Sequence, residues 1–226
     1  MAVGSAERFR QRFQRSRLLR WQLVAKRGLD IIGSLILLIA LAPVIGIAAL
    51  LVRTNSPGPA FYAGQRSGWY ARPFACLKLR SMYCDSAAIL RRHGLTGSGD
   101  QGRLLLFAAD PRITPVGRVM RKLSIDELPQ LLNVLRGDMS LIGPRPLALS
   151  MLEEYGDIGA ARALLRPGIS GLWQVRHRTK NASVVDMIED DMAYIESFSL
   201  LLDVKIACLT LPRMIEPPRR KGIQAG

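Results

Sequence analysis

The sequence predicts a mostly helical α/β chain, with a re-entrant membrane helix hairpin followed by a small cytosolic domain bearing interfacial amphipathic helices. Three observations lead there. Residues Ile31 to Val52 carry no charge and are almost wholly apolar, yet Pro43 interrupts them. Both flanks of that run are basic, in a chain of 226 residues with a net charge of +14. The mean hydropathy is nevertheless positive, +0.14, which in so basic a chain points to lipid. The length allows one core plus an anchoring segment, or two small domains at most.

Residues 1–25 form a basic N-terminal segment. From Phe9 to Val24, arginines mix with Phe13, Leu18, Leu19, Trp21 and Leu23, a composition suited to a helix lying on anionic lipid. A disordered basic tail is the competing reading for its first half.

Residues 26–53 hold the membrane segment. As one straight helix the apolar run would measure about 33 Å, enough to cross a bilayer core, so a single span is the simplest reading. A signal peptide fits poorly, because the run is too long and Pro43 follows the Ala40-Leu41-Ala42 candidate cleavage site. Pro43 removes a backbone hydrogen bond and kinks a helix. The basic flanks would both be held in the cytoplasm by the positive-inside tendency. A hairpin bent near Ala42-Pro43 satisfies both conditions, and a span satisfies one. Asp30, at the apolar edge, needs a partner there; Arg27, one helical turn earlier, is the expected one.

Residues 54–215 read as the globular part. Thr54 to Pro59 is a turn leaving the membrane. Ala60–Tyr62 and Phe74–Leu79 read as short strands, and Ser86–Arg92 as a short helix. Gly94–Gly102 reads as a loop. Val116–Lys122 and Ile125–Leu135 are helical by apolar spacing, with Gly137 as a stop. Leu147–Leu165 gives one or two further helices, and Val184–Ile215 is helical, with Phe198–Leu211 apolar enough to rest at the interface. Residues 216–226 are a Pro-rich, charged tail with the composition of disorder.

Cys76, Cys84 and Cys208 are odd in number and lack C-x-x-C spacing, which argues against a disulfide framework or zinc site. His93 and His177 form no H-E-x-x-H pair. The positive charge suits nucleic acid, an anionic membrane face or a phosphorylated substrate. Nucleic acid is set aside, since no zinc-finger spacing, RNP-like motif or aromatic-laced basic helix is present.

The most informative stretch runs from Arg121 to Gln130 and contains the adjacent acids Asp126 and Glu127. Alone, Ser124 and Glu127 have the spacing of a capping box, and acids in a first helical turn suit its dipole. The surroundings shift that reading. Arg112, Arg118, Arg121 and Lys122 precede the acids, and Gly143-Pro144-Arg145-Pro146 follows. An arginine flanked by prolines is held stiffly, and its planar fork suits bidentate phosphate binding. Lys78 and Arg80 project from one face of the second strand. Any one of these cations is by default a solvated surface charge; together with the acids they suggest a phosphate-handling site. An aspartate can attack phosphorus, and a neighbouring carboxylate can hold Mg²⁺ beside substrate phosphates.

At these residues the chain resembles the monotopic bacterial phosphoglycosyl transferases, the bacterial sugar transferase family. The resemblance is carried by KRGLD at Lys26–Asp30 with the Pro43-broken run, LKLRSM at Leu77–Met82 and the long stretch Asp110–Pro146. RPGISGLWQV at Arg166–Val175 and the pattern Asp191, Tyr194, Ser199, Asp203, Lys205 and Ile206 complete it. It implies a re-entrant helix, a small cytosolic α/β catalytic part, and a place on the cytoplasmic face of the bacterial inner membrane. It implies that Asp126 attacks the β-phosphate of a UDP-sugar, releasing UMP, and that polyprenyl (undecaprenyl) phosphate then takes the phosphosugar from the aspartate. Glu127 would ligate Mg²⁺, and Arg121 and Arg145 would bind phosphate, with Lys78, Arg80 and Arg112 in weaker roles of the same kind. Pro43 would supply the helix break, and Arg27 with Asp30 the membrane anchor. The partners are UDP-sugar, polyprenyl phosphate and membrane lipid; a homodimer stays open.

The chain departs from the family pattern in two places. After Gln174-Val175 many members continue with a small residue and then Gly-Arg-Asn or Gly-Arg-Ser, whereas this chain reads Arg176-His177-Arg178-Thr179. The turn Gly68-Trp69-Tyr70-Ala71 lacks the usual small polar residues. Larger relatives carry an N-terminal bundle of membrane helices that is not expected here. A rival reading from another class is a non-catalytic membrane adaptor holding anionic lipid or an assembly partner, for which the acid pair would be dispensable. Which sugar is transferred is not written in these motifs.

Overall fold

A computed structural model describes residues 2–93, 110–149, 162–177 and 184–215. The expected loop 94–102, most of the expected helix 147–165 and the tail 216–226 lie outside the described residues. What is described is mostly helical with two small sheets, in the order α1 (Ala2–Arg15), α2 (Arg17–Asn55), β1 (Phe61–Ser67), β2 (Pro73–Leu79), α3 (Ser86–Arg92) and α4 (Pro115–Leu123). A 3₁₀ turn (Ile125–Glu127) leads to α5 (Gln130–Arg136), β3 (Ser140–Ile142), β4 (Gly168–Ser170), α6 (Leu172–His177), α7 (Val184–Glu196) and α8 (Leu200–Ile215). β1 and β2 form an antiparallel hairpin with Tyr62 opposite Lys78. β3 and β4 are a parallel pair of three residues each, too short for their alternation to show in the sequence.

Helix α2 begins where Ser16 caps it, its Oγ accepting from the Leu19 N–H at 3.2 Å. It then runs unbroken to Asn55 with Pro43 inside it, so the interruption expected at Ala42-Pro43 is not a break in the helix. Proline costs one hydrogen bond here and the rest of the ladder continues. Its only buried residues are Leu19, Lys26, Asp30 and Ser34 toward one end, and Ala48 and Val52 toward the other. The stretch between has Ile36, Ile39 and Ile47 each about 60 % exposed or more. A bare apolar surface of this size is not stable in water. Among the described residues α2 is the one helix long and apolar enough to cross a membrane.

Both ends of α2 are fastened to the same globular body. At the first end Lys26 Nζ donates to Ile142 O at 2.8 Å and to Asp203 Oδ2 at 2.6 Å, and Tyr194 Oη donates to Asp203 Oδ1 at 2.7 Å. Asp30 Oδ1 accepts from Ser140 Oγ and Leu141 N, both at 2.9 Å. Arg27 donates to Val134 O and Leu135 O in the last turn of α5, where Gly137 turns the chain at φ +96°. The Arg27–Asp30 pair expected from sequence is therefore divided: each residue has its own partners on the body, since side chains one turn apart point outward together and meet the same neighbouring wall. At the other end Ala48 and Val52 pack with Leu79 and Met120.

The remaining core gathers Leu19, Ile142, Val175, Met187, Tyr194, Ile195, Phe198 and Ile206. α7 and α8, read as one helix in the sequence, are separated at Ser197–Ser199 because Phe198 turns inward, 1 % exposed. α1 is a helix lying on α7, with Arg8 paired to Glu196 and Arg12 donating to Glu196 O and Phe198 O. On α8, Asp203 and Ile206 face the core while Leu201, Val204 and Leu209 are exposed.

Replacing Asp30 by alanine strands the Leu141 N–H, while the Ser140 hydroxyl can turn to Ile142 O, so Asp30→Ala lowers stability by about 1–3 kcal/mol. Asp30→Asn, which keeps an accepting oxygen, costs less. Thermal unfolding in detergent reads the difference.

Candidate active site

The acids sit where three elements converge. α4 packs so closely on the exit of β2 that a Cβ on Gly117 would lie 2.1 Å from Ser81 O; only glycine permits that approach. Thr114 caps the helix, its Oγ1 accepting from Gly117 N at 2.9 Å. Ser124 then turns the chain in the left-handed region, at φ 57°, and the 3₁₀ turn Ile125–Glu127 follows before Pro129 opens α5. The capping box expected of Ser124 and Glu127 is not formed: Ser124 makes no side-chain cap to that turn, because it is ending one helix rather than beginning the next. Asp126 and Glu127 thus stand on a short turn between two helices.

They line a cleft of about 880 Å³ together with Lys78, Arg121, Arg145, Ser124 and Trp173. Asp126 is buried, 7 % exposed. Burial first, and then the Glu127 charge, pushes its carboxyl above the usual aspartate range, with Lys78 and Arg121 pulling the other way. Glu127 Oε1 accepts from Lys78 Nζ at 2.7 Å. Arg121 is exposed on α4, its Nε donating to Ser81 Oγ at 2.8 Å. Arg145 lies over the Trp173 ring, 5.1 Å from its centroid.

Six of the seven acids and cations expected of the site line the cleft, and two of the seven, Arg80 and Arg112, have their guanidinium groups engaged by other protein groups. Arg80 lines the cleft but spends its guanidinium on Ser56 Oγ, Ser56 O, Pro57 O and Pro59 O. It is buried and clamps the loop that leaves α2. Lys78 and Arg80 diverge because the strand ends at Leu79, so the alternation that put them on one face no longer applies. Arg112 forms a fork with Asp110, Nη2 to Oδ2 at 2.7 Å, which holds the Asp110 carboxyl below its ordinary range. It is not among the described residues lining the cleft.

Sequence reasoning did not assign the residues that hold Arg145. The Arg145 N–H donates to Asp191 Oδ2 at 3.2 Å, and Arg162 Nη2 donates to Arg145 O at 3.1 Å; Arg162 and Asp191 are themselves a buried ion pair. Arg162 stands in an alanine- and leucine-rich run that reads as one side of a solvated helix. Asp191 was visible as part of a motif, without a role.

Among the described residues no three histidine, cysteine or acidic side chains cluster as a metal cage. The carboxylates of Asp126 and Glu127, both lining the cleft, are donors of the type that suits Mg²⁺, which keeps several waters and is commonly held by one or two carboxylates plus substrate phosphates.

A family model described as bacterial sugar transferase matches residues 21–217. The chain belongs to the bacterial sugar transferase family. This sugar transferase is 41 % identical over 197 residues to a UDP-glucose:undecaprenyl-phosphate glucose-1-phosphate transferase of Caulobacter vibrioides, covering 84 % of this chain and 69 % of that one. It is 37 % identical to the exopolysaccharide production protein ExoY of Sinorhizobium fredii, over 84 % of each. It is 39 % identical to the undecaprenyl-phosphate galactose phosphotransferase of Salmonella typhimurium, covering 80 % of this chain but 38 % of that longer protein. The sugar transferase is thus an enzyme, which excludes the adaptor reading.

Because ionised Asp126 is disfavoured by the fold, it destabilises the folded state at any pH above its raised folded-state value. Asp126→Asn is therefore more stable than the parent at neutral pH. The gain shrinks as pH falls through that value and vanishes below the unfolded carboxyl range, near about 4. Thermal unfolding midpoints across pH check this. Equal midpoints at pH 7 would contradict it.

Proposed function

We propose that this enzyme transfers a sugar phosphate from a UDP-sugar to undecaprenyl phosphate, through a covalent phosphosugar on Asp126. The observation that carries the reading is the placement of a buried aspartate beside Glu127, Lys78, Arg121 and Arg145 in one cleft. The relatives' names supply the substrate class, undecaprenyl phosphate with glucose or galactose phosphate donors.

In the first step an Asp126 oxygen attacks the β-phosphorus. The bond from that phosphorus to the bridging oxygen breaks, and UMP leaves with the electron pair. In the second, an oxygen of the lipid phosphate attacks the same phosphorus and the aspartyl–phosphate bond breaks. The product is a polyprenyl diphosphosugar, and Asp126 is restored. Transition-state charge in phosphoryl transfer lies on the oxygens, so fixed cations are the protein's main tools. Arg145, stiffened by Pro144 and Pro146 and held on both sides of its backbone, suits the donor diphosphate. Arg121, exposed at the cleft rim, suits the incoming lipid phosphate. Glu127, with Asp126 adjacent, would hold Mg²⁺, which supplies charge neutralisation at the phosphates. Lys78 holds Glu127 in place and adds positive charge. Burial raises the Asp126 pKa, and approach of the phosphate-bound cations favours its ionised form.

We also infer that α2 enters and leaves the bilayer on one side, with Pro43 as the place where it bends there, and that α1 and the exposed face of α8 lie at the interface. The support is that hydrogen-bonded residues at both ends of α2 contact one charged globular body, which cannot enter hydrocarbon. The basic flanks support a position of that body on the cytoplasmic face of the inner membrane. This reading makes the reaction the first membrane step of exopolysaccharide or related surface-glycan assembly.

Detergent-solubilised enzyme with Mg²⁺, undecaprenyl phosphate and a panel of UDP-sugars should release UMP. Asp126→Asn should lower release by at least about 10³-fold, and Arg145→Ala by about 10²-fold, while both variants stay membrane-bound. Unchanged turnover in Asp126→Asn would remove the nucleophile from the scheme.

A further inference from the structure

The β1–β2 hairpin gives one of its faces to the cleft. Tyr62, Gly64 and Arg66 of β1 and Cys76 and Lys78 of β2 line it, whereas Ala63, Gln65 and Leu77, which alternate with them, are not among the described residues that do. The register sets Tyr62 opposite Lys78, Gly64 opposite Cys76, and Arg66 one step further along the same face. The Gly64–Cys76 rung therefore lies midway between Lys78 and Arg66. A Cβ on Gly64 would meet the Tyr62 ring at 3.1 Å and its hydroxyl oxygen at 3.3 Å. The ring thus lies across the glycine, and Tyr62 Oη stands over that rung.

Two polar groups on this face have no task within the protein. Among the described residues the Arg66 guanidinium makes no hydrogen bond or ion pair, and Tyr62 Oη makes no hydrogen bond. Arg66 is half-buried, and a cation taken partly out of water gives up hydration that a bound anion returns. A phosphate answers both groups, since a guanidinium fork matches its oxygens and a phenol can donate to one of them. The neighbours decide which phosphate. Burial pushes the Cys76 thiol up, and Lys78, Arg66 and Arg145 pull it back down. Arg121, which suits the lipid phosphate, acts instead on Asp126. Arg66 therefore belongs to the Arg145 end of the cleft, where the donor diphosphate is assigned. With the β-phosphorus at Asp126, the anion further along that face is the other phosphate of the donor.

We propose that Arg66 and the Tyr62 hydroxyl bind the α-phosphate of the nucleotide-sugar donor, the phosphate that departs within UMP. The inference rests on the donor assignment above and deepens it. When the bond from the β-phosphorus to the bridging oxygen breaks, the electron pair stays on that oxygen, which the α-phosphate carries away. A cation held at the α-phosphate meets this growing charge. Arg66 thus serves the first step, and the second does not need it.

UMP binding to the detergent-solubilised enzyme with Mg²⁺ is measured by isothermal titration, and steady-state rates are measured against each substrate in turn. Arg66→Ala should weaken UMP binding about 10–100-fold, and Tyr62→Phe about fivefold. Arg66→Lys should recover part of the loss; Arg66→Gln, which keeps a long polar side chain without the charge, should not. In a two-step covalent scheme kcat/KM for each substrate reports its own step. Arg66→Ala should therefore lower kcat/KM for the UDP-sugar and leave that for undecaprenyl phosphate within twofold. UMP affinity unchanged within twofold in Arg66→Ala or in Tyr62→Phe overturns the assignment of that residue. Equal loss for both substrates, or equal recovery by lysine and glutamine, makes Arg66 a scaffold and overturns the proposal. A loss confined to undecaprenyl phosphate makes it a lipid-phosphate site and overturns the proposal as well. A parent enzyme that binds neither UMP nor a UDP-sugar overturns the donor assignment and this inference together.

Discussion

The carbonyl of Ile142 is the point on which the rest of the structure depends. It accepts from Lys26 of α2 at 2.8 Å, while Ser140 Oγ at 2.8 Å and Tyr194 Oη at 3.4 Å lie against it with their single protons given to Asp30 and Asp203. Lys26 and Tyr194 are joined again through Asp203 on α8. One strand end thus ties the base of the apolar helix to α7 and α8, and that strand runs directly into Gly143-Pro144-Arg145. The network is buried, where polar groups are tolerated only if mutually satisfied, so its geometry is tightly specified. Desolvation raises the Asp203 carboxyl, opposed by Lys26, and losing either partner would leave the other unpaired in the interior. A cation of the cleft and the long apolar helix α2 are by this means parts of one arrangement.

A different balance governs the acids. Asp126 is held where the fold disfavours its charge, between a buried wall and the charge of Glu127, with Lys78 and Arg121 as counterweights. Local strain sits beside it, in the left-handed Ser124. Strain and destabilised charge gather at functional sites because surrounding packing can support them. Gly117 and the Thr114 cap, by locking α4 against Ser81, provide that packing here.

Much of this was legible in the sequence, for identifiable reasons. An uncharged run of helical length is long enough to be read without structure, and both the mostly helical character and the α2 helix followed from it. Asp126, Glu127, Lys78, Arg121 and Arg145, expected together from charge and motif, line one cleft. Arg80 and Arg112 were expected among the phosphate binders because charge is visible in sequence and partners are not: the carbonyls of Ser56–Pro59 that accept from Arg80 and the Asp110 carboxylate that pairs with Arg112 come together only in three dimensions. The same blindness hid Arg162 and Asp191, whose pairing joins residues 29 apart in the sequence. β3 and β4 were missed because three residues cannot display a period of two.

The central claim is that Asp126 carries the phosphosugar between donor and lipid. Intact-mass spectrometry of the enzyme after incubation with Mg²⁺ and a UDP-sugar it accepts, without lipid acceptor, tests that most directly. The account predicts an added mass of one sugar phosphate, mapped by peptide fragmentation to Asp126 and discharged when undecaprenyl phosphate is supplied. An enzyme that turns over with lipid yet shows no adduct under rapid quench, or shows it on another residue, would contradict it.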